Sequence, residues 1–374
     1  MEAERDGIRA LGHALRGERH ARAGDVRAAR LHYGRAVHYA ERARFGGGSL
    51  EAVRRALEVA RGFRDEVERA ATPGWMLGAG FAGAALLYAL SPSSASPSSA
   101  SPSSEPVLPN IGNTCYMNAA IRCLLAVTEF QPQGRVGTAY AAIKAALQAR
   151  TEPTREQLAE LRSSVNEGKE SQNKFKTNSQ ADMHEFMFAI VEPEPGPFAF
   201  DLVTNTTDKN GRRDETQKAT CLALQLGADL ESRPTSIVEL LGAYTAPERV
   251  DGMTRTFAIG KPPAILAVQL VRFSSFEGVS SKNGRVVEFE ETLDLGPYTV
   301  SKEAAIYDLI AVAIHRGTYG SGHYWAFTKG ESWTRYDDLA TARAGFAQVR
   351  EEANVRAADR STAYVLVYRA IGKL

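Results

Sequence analysis

Cys115 sits in PNIGNTCYMNAAIRCLL, residues 109–125. More than two hundred residues later His323 sits in HRGTYGSGHYWAF, residues 315–327, followed by WTRYDDL, residues 333–339. A thiol, an imidazole and a carboxylate are the parts of a cysteine hydrolase. A free thiol is a few per cent ionised at neutral pH, and an adjacent imidazole makes it a usable nucleophile. The imidazole must itself be held in one tautomer by a third polar group. Two histidines compete for the base: His315, which ends an apolar strand pattern, and His323, whose neighbouring glycines allow close backbone approach. Asp337 and Asp338 compete for the orienting carboxylate.

Groups so far apart along the chain need separate elements to carry them. The stretch after Asn113 reads as helix, with more helical sequence to about Ser164 and a polar loop over 166–179. SQADMHEFMFAIVE then opens another helix, with Phe186, Met187 and Ile190 on one face. From Phe198 the pattern turns to strands. Residues 262–273, 287–295, 305–315, 323–330 and 362–370 are rich in β-branched and aromatic side chains. Helices first and strands later predict an α+β domain, with the thiol on a helical lobe, the imidazole on a sheet lobe and a cleft between them. Cys115, at the start of its helix, would also feel the favourable end of the helix dipole.

The chain has 374 residues, a formal net charge of +1 and three cysteines, Cys115, Cys123 and Cys221. A sparse, odd set of cysteines is not a disulfide framework and suits a reducing compartment. No two have C-x-x-C spacing, so no structural zinc is expected. The near-neutral balance, without a clustered basic face, excludes a nucleic-acid binder. Residues 1–73 read as a helical arm rich in Arg. Residues 74–90, GWMLGAGFAGAALLYAL, carry no charge and as a helix would reach ~25 Å, just short of the ~30 Å hydrocarbon core of a bilayer. They read as a transmembrane anchor or as a buried or interfacial helix. Residues 91–106 repeat SPSSA, SPSSA, SPSSE and read as a disordered tether. The remaining domain is 107–374.

Five strings in this domain, in one order, resemble the ubiquitin-specific proteases, papain-like cysteine peptidases that cleave ubiquitin from proteins. GNTCYMN resembles their Cys box and QADMHEF, residues 180–186, their second box. PPAILAVQLVRF resembles a strand usually written L-P-P-x-L-x-x-x-L-x-R-F. GSGHYWAF with WTRYDD resembles their His box, and TAYVLVYRA their final strand. The resemblance implies a helical thumb, a β-sheet palm and short fingers. It implies Cys115 as nucleophile, His323 as general base and acid, and Asp337 as the residue that fixes the imidazole. Asn110, with the backbone N–H of Cys115, would form the oxyanion hole, where losing one donor typically costs ~2.7–4 kcal/mol. Asp182, Glu185, Gly322 and Tyr324 would contact ubiquitin, Asp182 by way of its basic tail, although Asp182 and Glu185 also suit simple capping and solvation of a helix.

Two departures stand out. Residues 240–264 match the family's finger region but lack its four zinc-binding cysteines, so no metal or other cofactor is implied. In the second box Ala181 replaces a common Gln, and Met183 a common Ala. The implied activity is a thiol-dependent deubiquitinase in a eukaryotic cytosol, native or invaded, with ubiquitin and ubiquitinated proteins as partners. The alternatives are a ubiquitin-binding scaffold on the same fold and a protease for a ubiquitin-like modifier. A membrane span at 74–90 would sit awkwardly with this, because the positive-inside rule keeps the Arg-rich arm cytosolic and sends the domain across.

Overall fold

The computed structural model describes residues 105–372, apart from 169–173, 210, 227–233, 251, 277–278 and 356–360. The expected arm at 1–73, the apolar run at 74–90 and the tether up to residue 104 lie outside the described residues. Among the described residues no helix is long and apolar enough to cross a membrane.

Four helices come first: α1 (Cys115–Leu125), α2 (Gly134–Gln148), α3 (Arg155–Asn166) and α4 (Met183–Val191). The sequence of α1, CYMNAAIRCLL, contains neither Gly nor Pro, and ten of its residues, Cys115 to Leu124, are buried. Met117, Ile121 and Leu124 are fully buried, and each such side chain stabilises by roughly 1.5–3 kcal/mol relative to exposure. The helix carrying the candidate thiol is therefore a rigid central element. α3 starts in a reciprocal cap: the Thr154 side chain accepts from the Gln157 N–H while Gln157 reaches back to the Thr154 N–H.

The strands follow in chain order. They begin with β1 (Phe200–Asp208), β2 (Gly211–Ala219), β3 (Leu222–Gln225) and β4 (Thr235–Ser236), then α5 (Ile237–Thr245), β5 (Glu248–Val250), β6 (Met253–Ile259) and β7 (Ile265–Val271). Next come β8 (Phe273–Phe276), β9 (Val279–Lys282), β10 (Val287–Glu288), β11 (Thr292–Asp294), β12 (Ile306–Thr318) and β13 (Ser321–Lys329). β14 (Trp333–Asp337), β15 (Ala340–Ala344), α6 (Phe346–Glu352) and β16 (Thr362–Ala370) complete the fold. The main sheet runs β15-β14-β13-β12-β16-β7-β3, with β11 on β12. Its pairs are antiparallel except β3 with β7. A second sheet, β2-β1-β6-β5, includes two strands from residues 240–264, where the fingers were expected.

Alternation across the main sheet builds two cores. In β13, Tyr324 and Ala326 join the core shared with α1–α4, while Trp325 and Phe327 join the core on the other face. β16 divides likewise, with Val365 and Val367 in the first core and Leu366 and Tyr368 in the second. This gives the α+β architecture expected from the sequence, with α1 packed directly on β13.

The structure refines several boundaries. β7 starts at Ile265 rather than 262, because Pro262 and Pro263 have no N–H for the ladder. Residues 287–295 form two short strands instead of one. The β14–β15 hairpin and helices α5 and α6 were not anticipated.

Candidate active site

The loop before α1 sets the thiol. Gly112 and Asn113 both adopt left-handed backbone, at φ 115 and 53, and swing the chain into the helix at Cys115. A Cβ at Gly112 would meet Asn178 Oδ1 at 2.1 Å, so only glycine fits there. Thr114 is the N-cap but gives α1 no side-chain cap. Its hydroxyl instead accepts from the Ile111 N–H at 2.9 Å and donates to Asn110 Oδ1 at 3.2 Å. The first-turn N–H groups of α1, that of Cys115 included, therefore have no capping side chain, and a helix N-terminus in that state attracts negative charge. Asn110 Oδ1 also accepts from the Gly112 and Thr114 N–H groups. This fixes the direction of the Asn110 amide.

His323 is paired with Arg316 in the β12–β13 ladder. Its Nε2 lies 2.5 Å from Asp337 Oδ1, and the ring lies near enough to Cys115 to be influenced by its charge. Burial alone would lower the imidazole pKa. The hydrogen bond to Asp337 and the charges of Asp337 and Cys115 outweigh it and push the pKa up to about 10. The Asp337 carboxyl is held below the usual range, because His323 and Arg335 overcome the cost of its burial.

Asp338 follows Asp337 into the two-residue turn between β14 and β15, at φ 46, a conformation that Asp tolerates better than most residues. It points elsewhere: Oδ2 accepts from Asn110 Nδ2 at 3.0 Å and Oδ1 from Asn118 Nδ2 at 2.8 Å. Asp337 thus meets the imidazole while Asp338 meets the two asparagine amides.

A cleft of about 710 Å³ runs away from Cys115 between the helices and the sheet. Asp182, Glu185, Gly322 and Tyr324 all line it. Asp182 caps α4, with Oδ1 accepting from the Glu185 N–H at 3.0 Å and Oδ2 from the Tyr364 hydroxyl at 2.6 Å. Burial raises its pKa despite these bonds. Glu185 is exposed, with Lys174 Nζ at 3.9 Å. Tyr324 is nearly buried and packs on His315, with ring centroids 4.5 Å apart.

His315 is 3% exposed. Burial, reinforced by Lys282, His323 and Arg272, pushes its pKa down to about 3. His315 is accordingly neutral at physiological pH and belongs to the cleft wall. Cys123 and Cys221 are no rivals to Cys115, since burial raises each thiol pKa to about 12.

Residues 108–368 match the model of the ubiquitin carboxyl-terminal hydrolase family. The chain belongs to that family. It is 34% identical to mouse ubiquitin carboxyl-terminal hydrolase 4 over 122 residues, which is 31% of this chain and 12% of that protein. It is 23% identical to human ubiquitin carboxyl-terminal hydrolase 42 over 321 residues, 70% of this chain and 22% of the relative. These matches span less than a quarter of either relative's length. Among solved structures, the SAGA Ubp8/Sgf11/Sus1/Sgf73 DUB module bound to ubiquitin aldehyde superposes with a TM-score of 0.60 at 19% identity, covering 74% of this chain and 72% of that one. At that identity the likeness shows the fold.

In this hydrolase-family chain, three further side chains that the motifs did not single out touch the site. Asn118, three residues after Cys115, is the one amide of α1 and, like Arg122, a buried polar side chain in a helix that is mostly apolar; that was the signal. Gln180 opens the second box, and its side chain brackets Gly322 across the cleft: Nε2 donates to the Gly322 carbonyl at 3.1 Å and Oε1 accepts from the Gly322 N–H at 3.2 Å. Arg335 lies two residues before Asp337, on the same face of β14, and holds its second oxygen.

Gly322 also shows why glycine is needed beside the imidazole. A Cβ there would meet His315 Nε2 at 2.2 Å and Arg316 O at 2.4 Å. Gly322→Ala is expected to move the start of β13 and with it His323. Misplacement on the 1 Å scale costs up to roughly 100-fold in rate. A loss of that order in kcat/KM, with the protein still folded by circular dichroism, is the expected outcome.

Proposed function

We propose that the chain is a thiol-dependent deubiquitinase that hydrolyses the bond after the C-terminal glycine of ubiquitin through an acyl-enzyme on Cys115. The observation that carries this reading is the convergence of Cys115, at the first residue of α1, and Asp337, on β14, on the His323 ring of β13, with His323 hydrogen-bonded to Asp337. With Nε2 of the ring committed to Asp337, Nδ1 is left for the thiol. The proton of the thiol resides on the ring, and the imidazolium beside the thiolate is stabilised by Asp337.

Sulfur then attacks the glycine carbonyl. The developing oxyanion meets the Cys115 N–H and the second hydrogen of Asn110 Nδ2, the first being given to Asp338. The imidazolium protonates the departing amine, usually a lysine ε-amine. It then acts as base towards the water that releases ubiquitin. Asp338 serves by aiming Asn110, and Asn118 by anchoring Asp338 to α1.

The cleft suits the substrate tail. Backbone at Gly322 and the side chain of Gln180 narrow it close to Cys115, which favours paired glycines over residues with side chains. The carboxylates of Glu185 and Asp182 suit the basic residues of the ubiquitin tail, Glu185 being the more available. Such a substrate places the domain, 107–374, in a eukaryotic cytosol, with residues 1–73, 74–90 and 91–106 as its arm, apolar run and tether.

The test is turnover of fluorogenic C-terminal amides of ubiquitin and of ubiquitin-like modifiers by the full chain. Preferential cleavage of the ubiquitin amide is expected. Preferential cleavage of another modifier would replace the substrate, and ubiquitin binding without any turnover would leave a scaffold.

A further inference from the structure

The orienting carboxylate of the triad is itself held in place. Strand periodicity puts Arg335 and Asp337 on one face of β14, with Tyr336 on the other face under the Arg122 guanidinium at 4.0 Å. Arg335 Nη2 donates to Asp337 Oδ2 at 2.8 Å, the oxygen that His323 leaves unused. Its Nε donates to Glu352 Oε2 at 2.8 Å, at the end of α6. Gln348 Nε2 donates to the other Glu352 oxygen at 3.0 Å, and the Glu352 backbone carbonyl accepts from the Ser361 hydroxyl at 2.6 Å. The guanidinium lies 5.3 Å from the centroid of the Trp325 ring, on which His323 also stacks at 6.1 Å. All three charged side chains are 22–25% exposed. A planar fork can meet two carboxylates at once in fixed geometry, which an ammonium cannot do.

From this arrangement we infer that Arg335 and Glu352 are positioning residues for catalysis: Arg335, braced by Glu352, locks the Asp337 carboxylate in the one orientation that serves His323. The inference rests on the triad reading above. Asp337 has two equivalent oxygens and a rotatable Cβ–Cγ bond, and is set at the mouth of a hairpin turn. His323 alone would leave it free to swing towards solvent. The fork removes that freedom while Glu352 neutralises the charge of the fork. The depressed Asp337 pKa agrees, with Arg335 contributing after His323. The other groups facing the pair are Cys115 from α1, Asp338 from the turn after β14, and Arg316 from β12, which lies 5.9 Å from the same Trp325 ring.

The sign of the effect separates positioning from simple charge. A guanidinium acting only by its field disfavours the imidazolium, so its removal would increase the thiolate–imidazolium population. A guanidinium acting by holding Asp337 does the reverse. The experiment measures the rate of Cys115 alkylation by iodoacetamide at neutral pH, resolved by peptide mass spectrometry, alongside kcat and KM on a ubiquitin fluorogenic amide. Arg335→Met is expected to slow alkylation roughly tenfold and to lower kcat by up to about 100-fold with KM unchanged. Arg335→Lys, which still offers Asp337 one donor, is expected to recover much of both. Glu352→Gln, similar in shape to the native side chain, is expected to move both in the same direction by less.

Alkylation that is unchanged or faster in Arg335→Met would overturn the inference. So would a loss that tracks the melting temperature and is not recovered in Arg335→Lys. Alkylation needs no ubiquitin. A wrong substrate would therefore show as wild-type protein with reactive Cys115 and no ubiquitin turnover, a different result from a failed positioning role.

Discussion

Replacing Cys115 with Ala is expected to abolish hydrolysis of ubiquitin C-terminal amides, by a factor on the order of 10⁴–10⁶, while ubiquitin binding persists. The size follows from the loss of the nucleophile itself. Knocking out the nucleophile of such a unit removes nearly all of the covalent route and leaves only what binding and the oxyanion donors supply. The fold should survive, because Ala suits a helix and Cys115, though buried, loses only its sulfur at the end of α1 that lines the cleft. Cys123, which is buried, and Cys221, which is half-buried, cannot take over with their raised thiol pKa values. Measured turnover in Cys115→Ala above a thousandth of wild type would mean that another group performs the chemistry.

Asp337→Asn is expected to lower kcat on the order of 10⁴-fold and to move the alkaline limb of kcat/KM downward. His323 has its pKa raised to about 10, so the imidazolium that protonates the leaving amine persists through neutral pH and is lost as pH rises through about 10. The amide keeps the shape of Asp337 but brings no charge, so the imidazole would titrate closer to its ordinary value near 6.5. The same shift links to stability. A folded-state pKa above the unfolded one contributes stability that is fully present below about 6.5 and is lost as pH rises through about 10. Asp337→Asn should therefore lose stability at neutral pH relative to wild type, and the gap should narrow as pH rises through about 10 to what the Asp337–Arg335 pair contributes. A kcat/KM profile with an unmoved alkaline limb would show that Asp338 or another group orients the ring.

Much of this arrangement is legible in the sequence. Cys115 and His323 stand in strings whose neighbours explain them: a turn of glycine and asparagine ahead of an apolar helix, and glycines ahead of an aromatic-rich strand. The succession of helices and then β-branched strands gave the two lobes. The orienting end was less visible. β14 is short, half-exposed and polar on one face, so WTRYD lacks the apolar alternation that marks a strand, and consecutive aspartates look equivalent. Only the hairpin turn, with Asp338 in left-handed backbone, sends Asp337 to the imidazole and Asp338 to Asn110 and Asn118.

Partnerships across more than a hundred residues were equally out of reach. Gln180 with Gly322, and Asn118 with Asp338, depend on how the helices lie against the sheet, which periodicity does not encode. Asp182 shows the opposite difficulty. Capping and substrate contact both fit its sequence, and the structure gives it a cap, a tyrosine partner and a place in the cleft wall together.

The most direct measurement is the intact mass of the full chain after incubation with ubiquitin bearing a C-terminal vinyl sulfone, followed by mapping of the modified peptide. One ubiquitin per chain, attached at Cys115 and absent when His323 is replaced by Ala, is the result expected if thiol, imidazole and carboxylate act together at the end of a ubiquitin-tail cleft. An unmodified chain, or an adduct on Cys221 in place of Cys115, would contradict it.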